Sequence, residues 1–288
     1  MRRTIYILVS TDHLADRLWF RDEEDFKVGM NYIAILAHSS PIQILAFILM
    51  SNHVHFVIAG TREDIELFIT EFKRRYSSYY QHKYGAREFL RRNNVDFKEI
   101  EPVGEALERA IAYVLMNSVA ANICSHSSLY PWGSGNVYFN IAPRSGKPAR
   151  EFSGSALLRL LHSKNSLPPD YLILEAGYVD PISYVPASFV ERIFRTPARL
   201  NYFLSNSSKA RTRLEEKAVP SFRDQNILSS AQDLCHSLFR KSGIQELSEV
   251  QLGELLRQLR YRFSADIGQL ARVLEIPYKD AVRLLDVF

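Results

Sequence analysis

Phe47-Ile-Leu-Met50-Ser-Asn-His53-Val-His55-Phe-Val-Ile-Ala59 is an apolar, β-branched and aromatic run, interrupted only by Ser51-Asn52 and by two histidines. The composition predicts two strands, Ile42 to Met50 and His53 to Ala59, joined by a two-residue turn. Side chains alternate across a strand, so His53 and His55 project from the same face. Two adjacent imidazoles can grip one divalent metal ion. The spacing alone leaves a second reading open, a pair of buried, hydrogen-bonded histidines.

The segments on either side of the hairpin complete a unit. Thr4 to Val9 is rich in Ile, Val and Tyr and reads as a buried strand, followed by a polar connection from Ser10 to Trp19. Arg21-Asp-Glu-Glu-Asp25 places acidic residues where a helix begins, and Phe26, Met30, Ile33 and Leu36 recur at helical spacing until Ser39-Ser-Pro. After the hairpin, Arg62 to Tyr84 reads as a second helix closed by Gly85. Its surface holds Lys73, Arg74, Arg75, Tyr79 and Lys83. That is either a solvated charged face or a nucleic-acid face, with cations for phosphates and aromatics for bases. Arg91-Arg92 and the strand-like Phe97 to Ile100 continue the basic theme. Gly104 to Ser118 is amphipathic, with a stripe of Leu107, Ala110, Ile111, Val114 and Leu115. Tyr113 and Asn117, four residues apart, lie together beside that stripe.

Strand, helix, hairpin, helix, short strand, helix predicts an α+β domain: one antiparallel sheet with helices on one face. A helix packed on that sheet would bring Tyr113 and Asn117 towards His53 and His55. Bulk properties agree with a globular protein. The chain has 288 residues, 47% hydrophobic and 24% charged, enough for two domains. A net charge of +4 is compatible with a polyanionic partner. The two cysteines, Cys124 and Cys235, are far apart and in no metal-ligand spacing, which points to a reduced, cytoplasmic protein without a disulfide framework. Met1-Arg-Arg precedes an apolar run too short for a signal sequence, and no run approaches membrane-spanning length, so no membrane partner is expected.

Four ordered motifs now carry a resemblance. Phe20-Arg-Asp-Glu-Glu-Asp25, Met50-Ser-Asn-His-Val-His55, Tyr113-Val-Leu-Met-Asn117-Ser-Val-Ala-Ala-Asn and Tyr130-Pro-Trp132-Gly-Ser resemble the single-tyrosine HUH transposases, and within them the REP-associated tyrosine transposases. The resemblance covers residues 1–135 and implies a ferredoxin-like HUH nuclease domain acting on single-stranded DNA, often folded as a hairpin. It implies His53, His55 and Asn117 as ligands of Mg2+ or Mn2+, and Tyr113 as a nucleophile forming a 5′-phosphotyrosine. It leaves both a homodimer and a monomer open, and places the protein in the bacterial cytoplasm, at the nucleoid. Ser51 stands where the family has proline, and the segment after Asn117 lacks the family's proline and glycine.

The remainder divides into an extension and linker, 136–200, and a mostly helical C-terminal domain, 201–288. Pro197 to Lys217 reads as a polar helix running into a linker. Ser264 to Leu285 resembles a helix-turn-helix, with Ile267, Leu270, Ala271, Ala281, Leu284 and Leu285 inward and Tyr278, Lys279 and Arg283 outward. Glu275 stands where a turn glycine is usual, and a packed α-hairpin without DNA contact is the alternative. Three functions fit these residues: a metal-dependent tyrosine strand transferase, a non-catalytic DNA-hairpin-binding protein domesticated from a transposase, and a hydrolase whose histidines activate water through a metal.

Overall fold

The computed structural model describes residues 4–15, 17–86, 90, 92–208 and 222–286. Arg91 and the linker stretch 209–217 lie outside them. The first six elements are β1 (Ile5–Thr11), α1 (Glu23–Ser39), β2 (Gln43–Met50), β3 (His53–Gly60), α2 (Arg62–Tyr84) and β4 (Val95–Ile100). The strands form one antiparallel sheet in the order β2-β3-β1-β4. This βαββαβ order with its two central strands β1 and β3 is the ferredoxin-like arrangement, as expected.

Local chemistry sets the element ends. Asp22 caps α1 by accepting from the Asp25 backbone N–H at 2.9 Å, and three acidic residues in the first turn complement the helix dipole. Thr61 caps α2 in the same way. Gly85 ends α2 in the left-handed region, at φ 73°, with its N–H on the Gln81 carbonyl at 2.8 Å.

Every residue of β3 is buried, so both sheet faces are covered. Phe56 packs against Phe68 and Phe72 of α2. Its neighbour His55 points the other way, edge-on to Tyr113. Tyr113 belongs to α3 (Ala106–Leu115), which is followed by the single turn α4 (Asn117–Ala120). Helices α1 and α2 therefore share one face, as the element order predicts, and α3 packs on the opposite one.

The edge strand β2 does not end the structure. Tyr130 donates its hydroxyl to the Leu49 carbonyl at 2.8 Å, Ser134 N–H bonds the Phe47 carbonyl at 3.0 Å, and Trp132 stacks on Phe26. Gly133 approaches so closely that a Cβ there would lie 2.8 Å from the Phe47 carbonyl oxygen. The Tyr-Pro-Trp-Gly-Ser element thus covers an edge that would otherwise be open to foreign strands.

The expected extension and linker, 136–200, is instead packed into this first core. It contains α5 (Gly154–Leu161), α6 (Ala187–Phe194) and a short hairpin, Gly146–Pro148 with Leu172–Leu174. Val137, Leu161, Val190 and Phe194 are buried with the sheet residues, joined by Leu200, Phe203 and Leu204 of α7 (Pro197–Ser205). The buried Asn31 of α1 ties the segment down, donating to the Leu160 carbonyl at 3.0 Å and accepting from Val179 N–H at 2.9 Å. Arg144 pairs with the buried Asp180 at 3.0 Å.

A second core comprises α8 (Asp224–Ser237), α9 (Glu249–Phe263), α10 (Ile267–Leu274) and α11 (Tyr278–Asp286). Leu270, Ala271, Ala281 and Leu284 are buried, and Ile267 and Leu285 are half-buried, while Tyr278, Lys279 and Arg283 are exposed. Leu18, from the connection after β1, inserts into this second core. Glu275 at the α10–α11 turn is left-handed, at φ 55°, where glycine would cost nothing. Its carboxylate reaches Arg21 at 3.0 Å, a contact that glycine could not make.

Candidate active site

The site forms where the connection after β1 lies across the β2–β3 turn. Trp19 and Phe20 N–H groups donate to the Ser51 carbonyl at 2.7 and 3.1 Å, and Leu14 N–H donates to the Asn52 carbonyl at 3.1 Å. Asn52 returns a side-chain bond to the Leu14 carbonyl at 3.0 Å. This clamp carries His13 onto the hairpin, its ring stacked on His53 with centroids 3.6 Å apart.

His13, His53 and His55 each offer a ring nitrogen, and the three atoms lie within 4.8 Å of one another. His53 and His55 are buried, and His13 is exposed. The Nδ1 of His53 sits 2.8 Å from Asn52 Oδ1, and the Nδ1 of His55 lies 2.8 Å from Ser10 Oγ. The amide oxygen can only accept, so His53 carries its proton on Nδ1 and keeps its lone pair on Nε2, the tautomer suited to a metal ligand. Ser10 is the cross-strand partner of His55, so strand register alone brings the two together. Three imidazoles at this spacing fit a divalent transition ion better than they fit magnesium, which prefers oxygen.

Tyr113 lies beside this cluster, its ring centroid 5.7 Å from that of His55. It is half-buried, and burial pushes its hydroxyl pKa up, which holds the proton on at neutral pH. A cavity of about 550 Å³ opens beside it, with Ser10, Lys98, Arg109 and Tyr113 among its walls. Arg109 is also paired with Glu105 at 2.7 Å. Asn117 is buried and uses its Nδ2 on the carbonyls of Tyr113 and Val114, at 2.9 and 3.1 Å. It thereby caps the carbonyl end of α3.

The other residues singled out in the sequence lie elsewhere. Lys73, Arg74, Arg75, Tyr79 and Lys83 belong to α2, across the sheet from the histidines. Lys73 donates to the Asn93 carbonyl, Arg74 and Arg75 hold Glu71, Tyr79 donates to Asp25, and Lys83 is paired with Asp22 and Asp25. In the C-terminal helices, Lys279 is exposed, and Arg283 is paired with Glu249. The sequence reading missed His13. Thr11-Asp-His13 at the end of a buried strand is the only local sign of it, and nothing local says that its loop folds back over the hairpin.

Residues 17–95 match the family model described as transposase IS200-like. The match to the transposase family contains His53 and His55 and stops before α3, so Tyr113 falls outside it, as does His13. Among solved structures the chain is similar to one described as a REP-associated tyrosine transposase bound to a REP hairpin. The identity is 13%, the TM-score 0.36, and the similarity covers 46% of this chain and 77% of that one. No curated protein matches the sequence. No helix among the described residues is long and apolar enough to cross a membrane.

Proposed function

We propose that the chain is a metal-dependent strand transferase that cuts single-stranded DNA, folded as hairpins, with Tyr113 as the nucleophile. The observation that carries this reading is the convergence of His13, His53, His55 and Tyr113 on one sheet face of a transposase-family domain. On this reading the three histidines hold the ion, with Mn2+ a better match than Mg2+ to their nitrogens. Asn117 is the further ligand that the family resemblance implies, through Oδ1, because Nδ2 is occupied by helix carbonyls. When bound, the ion supplies Lewis-acid polarisation of a phosphodiester and offsets the charge that develops on it.

The residues do the rest. The α3 scaffold holds the Tyr113 ring beside His55, and on this reading a positioned nucleophile replaces a chance encounter. Its oxygen attacks phosphorus, the P–O3′ bond breaks, the tyrosine proton passes to solvent, and the departing 3′ oxygen takes up a proton. The products are a 5′-phosphotyrosine and a free 3′-hydroxyl. The phosphodiester energy is retained in the protein link, so rejoining to another 3′-hydroxyl needs no nucleotide cofactor.

The test is cleavage of end-labelled single-stranded hairpins, drawn from the sequence flanking the gene, with Mn2+ and then with a chelator. The expected result is cutting at one position, abolished by chelation and restored by added Mn2+. Binding of the same hairpins without cutting, across a broad panel, favours the non-catalytic DNA-binding reading instead. Cutting that never yields a protein-linked fragment favours water activation by the histidines.

A further inference from the structure

The C-terminal helical unit begins at the metal-binding hairpin. A cavity of about 200 Å³ lies between them, and its walls include His13, Asn52 and His53 on one side and Arg223 and Arg272 on the other. It is sized for a phosphodiester group with its water, not for a duplex. Asp224, at the start of α8, is buried and organises the contact. Its carboxylate accepts from Ser51 Oγ at 2.5 Å, from Gln269 Nε2 at 2.8 Å and from Arg272 Nε at 2.9 Å. Beside it, Gln225 donates to the Phe20 carbonyl at 2.7 Å. Ser51 immediately precedes Asn52 and His53, so this clamp fixes the helical unit against the turn that carries the site.

The charges in the cavity do not cancel. Arg272 and Asp224 neutralise each other. Arg223 enters no ion pair among the described residues, and its guanidinium sits over the Tyr130 ring, 5.9 Å from the centroid. A half-buried guanidinium that lines the same small cavity as His13 and His53, with one positive charge in excess, offers a site for an anion. We infer that Arg223 binds a backbone phosphate of the DNA strand next to the one held at the histidines, so that the C-terminal unit completes the nucleic-acid site of the first domain. This inference rests on the function proposed above. It gives a specific reason for the Asp224 clamp: the clamp sets where Arg223 stands relative to His53.

The experiment uses the full chain in the Tyr113→Phe background, so that binding is read without cutting. Affinity for a fluorescein-labelled single-stranded DNA is measured against salt concentration for the Tyr113→Phe parent and for Arg223→Ala, Arg223→Gln and Arg223→Lys made in it. Removing one charge-assisted phosphate contact is expected to weaken binding about 10-fold. The slope of log affinity against log salt is expected to flatten by about 0.7, the share of one phosphate on a single strand. Arg223→Lys should restore the slope, because it restores the charge. Unchanged affinity and slope in Arg223→Ala and Arg223→Gln, with a parent that binds, overturn the inference and leave the proposed function standing. A loss of affinity whose slope lysine fails to restore also overturns it, because the role is then structural. A parent that binds no single-stranded DNA overturns the proposed function, and the inference falls with it.

Discussion

Helices α2 and α3 pack on opposite faces of the same sheet, and they carry the two features that stand out in the sequence. Helix α2 has the dense run of cations and tyrosines. Helix α3 has one tyrosine of note, and the turn after it one asparagine. In the folded chain the rich surface is largely taken up internally. Tyr79, Tyr84 and Lys83 converge on the fully buried carboxylate of Asp25, and Arg74 and Arg75 hold Glu71. Burial, together with the Asp25 carboxylate, pushes the Tyr79 and Tyr84 hydroxyls well above their ordinary range. The sparse face, by contrast, gathers groups from three distant stretches: His13, the His53–His55 pair and Tyr113. A local abundance of charge says little about function, because those charges can be spent on pairs that hold the fold, as Lys83 is on Asp22 and Asp25. Three imidazoles whose ring nitrogens can reach one ion say more.

Six substitutions would break or sharpen this contrast. The largest effect is expected at the sparse face: His53→Ala or His55→Ala should lower metal-dependent cleavage at least about 1,000-fold, on the order of 4 kcal/mol in the barrier. A steady-state cleavage assay over a Mn2+ titration checks it, and near-normal activity at saturating metal would remove the histidines from the site. At the rich face, Asp25→Ala should cost stability rather than chemistry. Removing the Asp25 carboxylate leaves the Tyr79 and Tyr84 hydroxyls and the Arg21 N–H without their acceptor, at a cost of about 1–3 kcal/mol, visible as a lower urea midpoint. Activity per folded molecule should hold.

Smaller effects are expected from the groups behind the histidines. Asn52→Ala and Ser10→Ala should each weaken metal affinity about 10–100-fold, through loss of ring orientation. Calorimetric Mn2+ titration reads this directly, and unchanged affinity would show that the rings orient themselves. The smallest effect belongs to Arg74→Ala, whose exposed pair with Glu71 is worth well under about 1 kcal/mol. Hydrogen bonding from Arg74, then from Arg75, holds the Glu71 carboxyl down at about 2, below its ordinary 4.5. Its contribution is therefore complete above pH 4.5 and fades as pH falls towards 2. Thermal melts should show the variant and parent converging over that window. A strong loss of DNA binding in Arg74→Ala would instead revive α2 as a nucleic-acid face.

The parts of the fold legible in the sequence are those fixed by local chemistry. The hairpin turn at Ser51-Asn52 and the ends of α2 at Arg62 and Tyr84 fall where the alternation, the Thr61 cap and Gly85 place them. The expected helix from Gly104 to Ser118 is divided, because Asn117 turns its amide back onto α3's carbonyls and a new turn starts there. The shared face of His53 and His55 follows from strand period alone. The stacking of His13 on His53 does not, because it depends on a loop folding over a turn nearly forty residues away. Residues 136–200 read as extension and linker because their apolar positions follow no single period. They bury those positions against the sheet and against α1 and α3, which are made elsewhere in the chain. Likewise nothing local in the sequence marks Asp224, and only the fold reveals Ser51 as its partner.

The central claim is that Tyr113 and the histidines form one reactive centre. Its most direct measurement is a covalent-adduct assay: a hairpin labelled at its 3′ end or its 5′ end is incubated with Mn2+ and wild-type or Tyr113→Phe protein, then run on a denaturing gel. A protein-linked band carrying the 3′ label but not the 5′ label, and absent from Tyr113→Phe, is the expected result. An adduct that persists in Tyr113→Phe, or cutting by wild type that leaves no adduct, would contradict it.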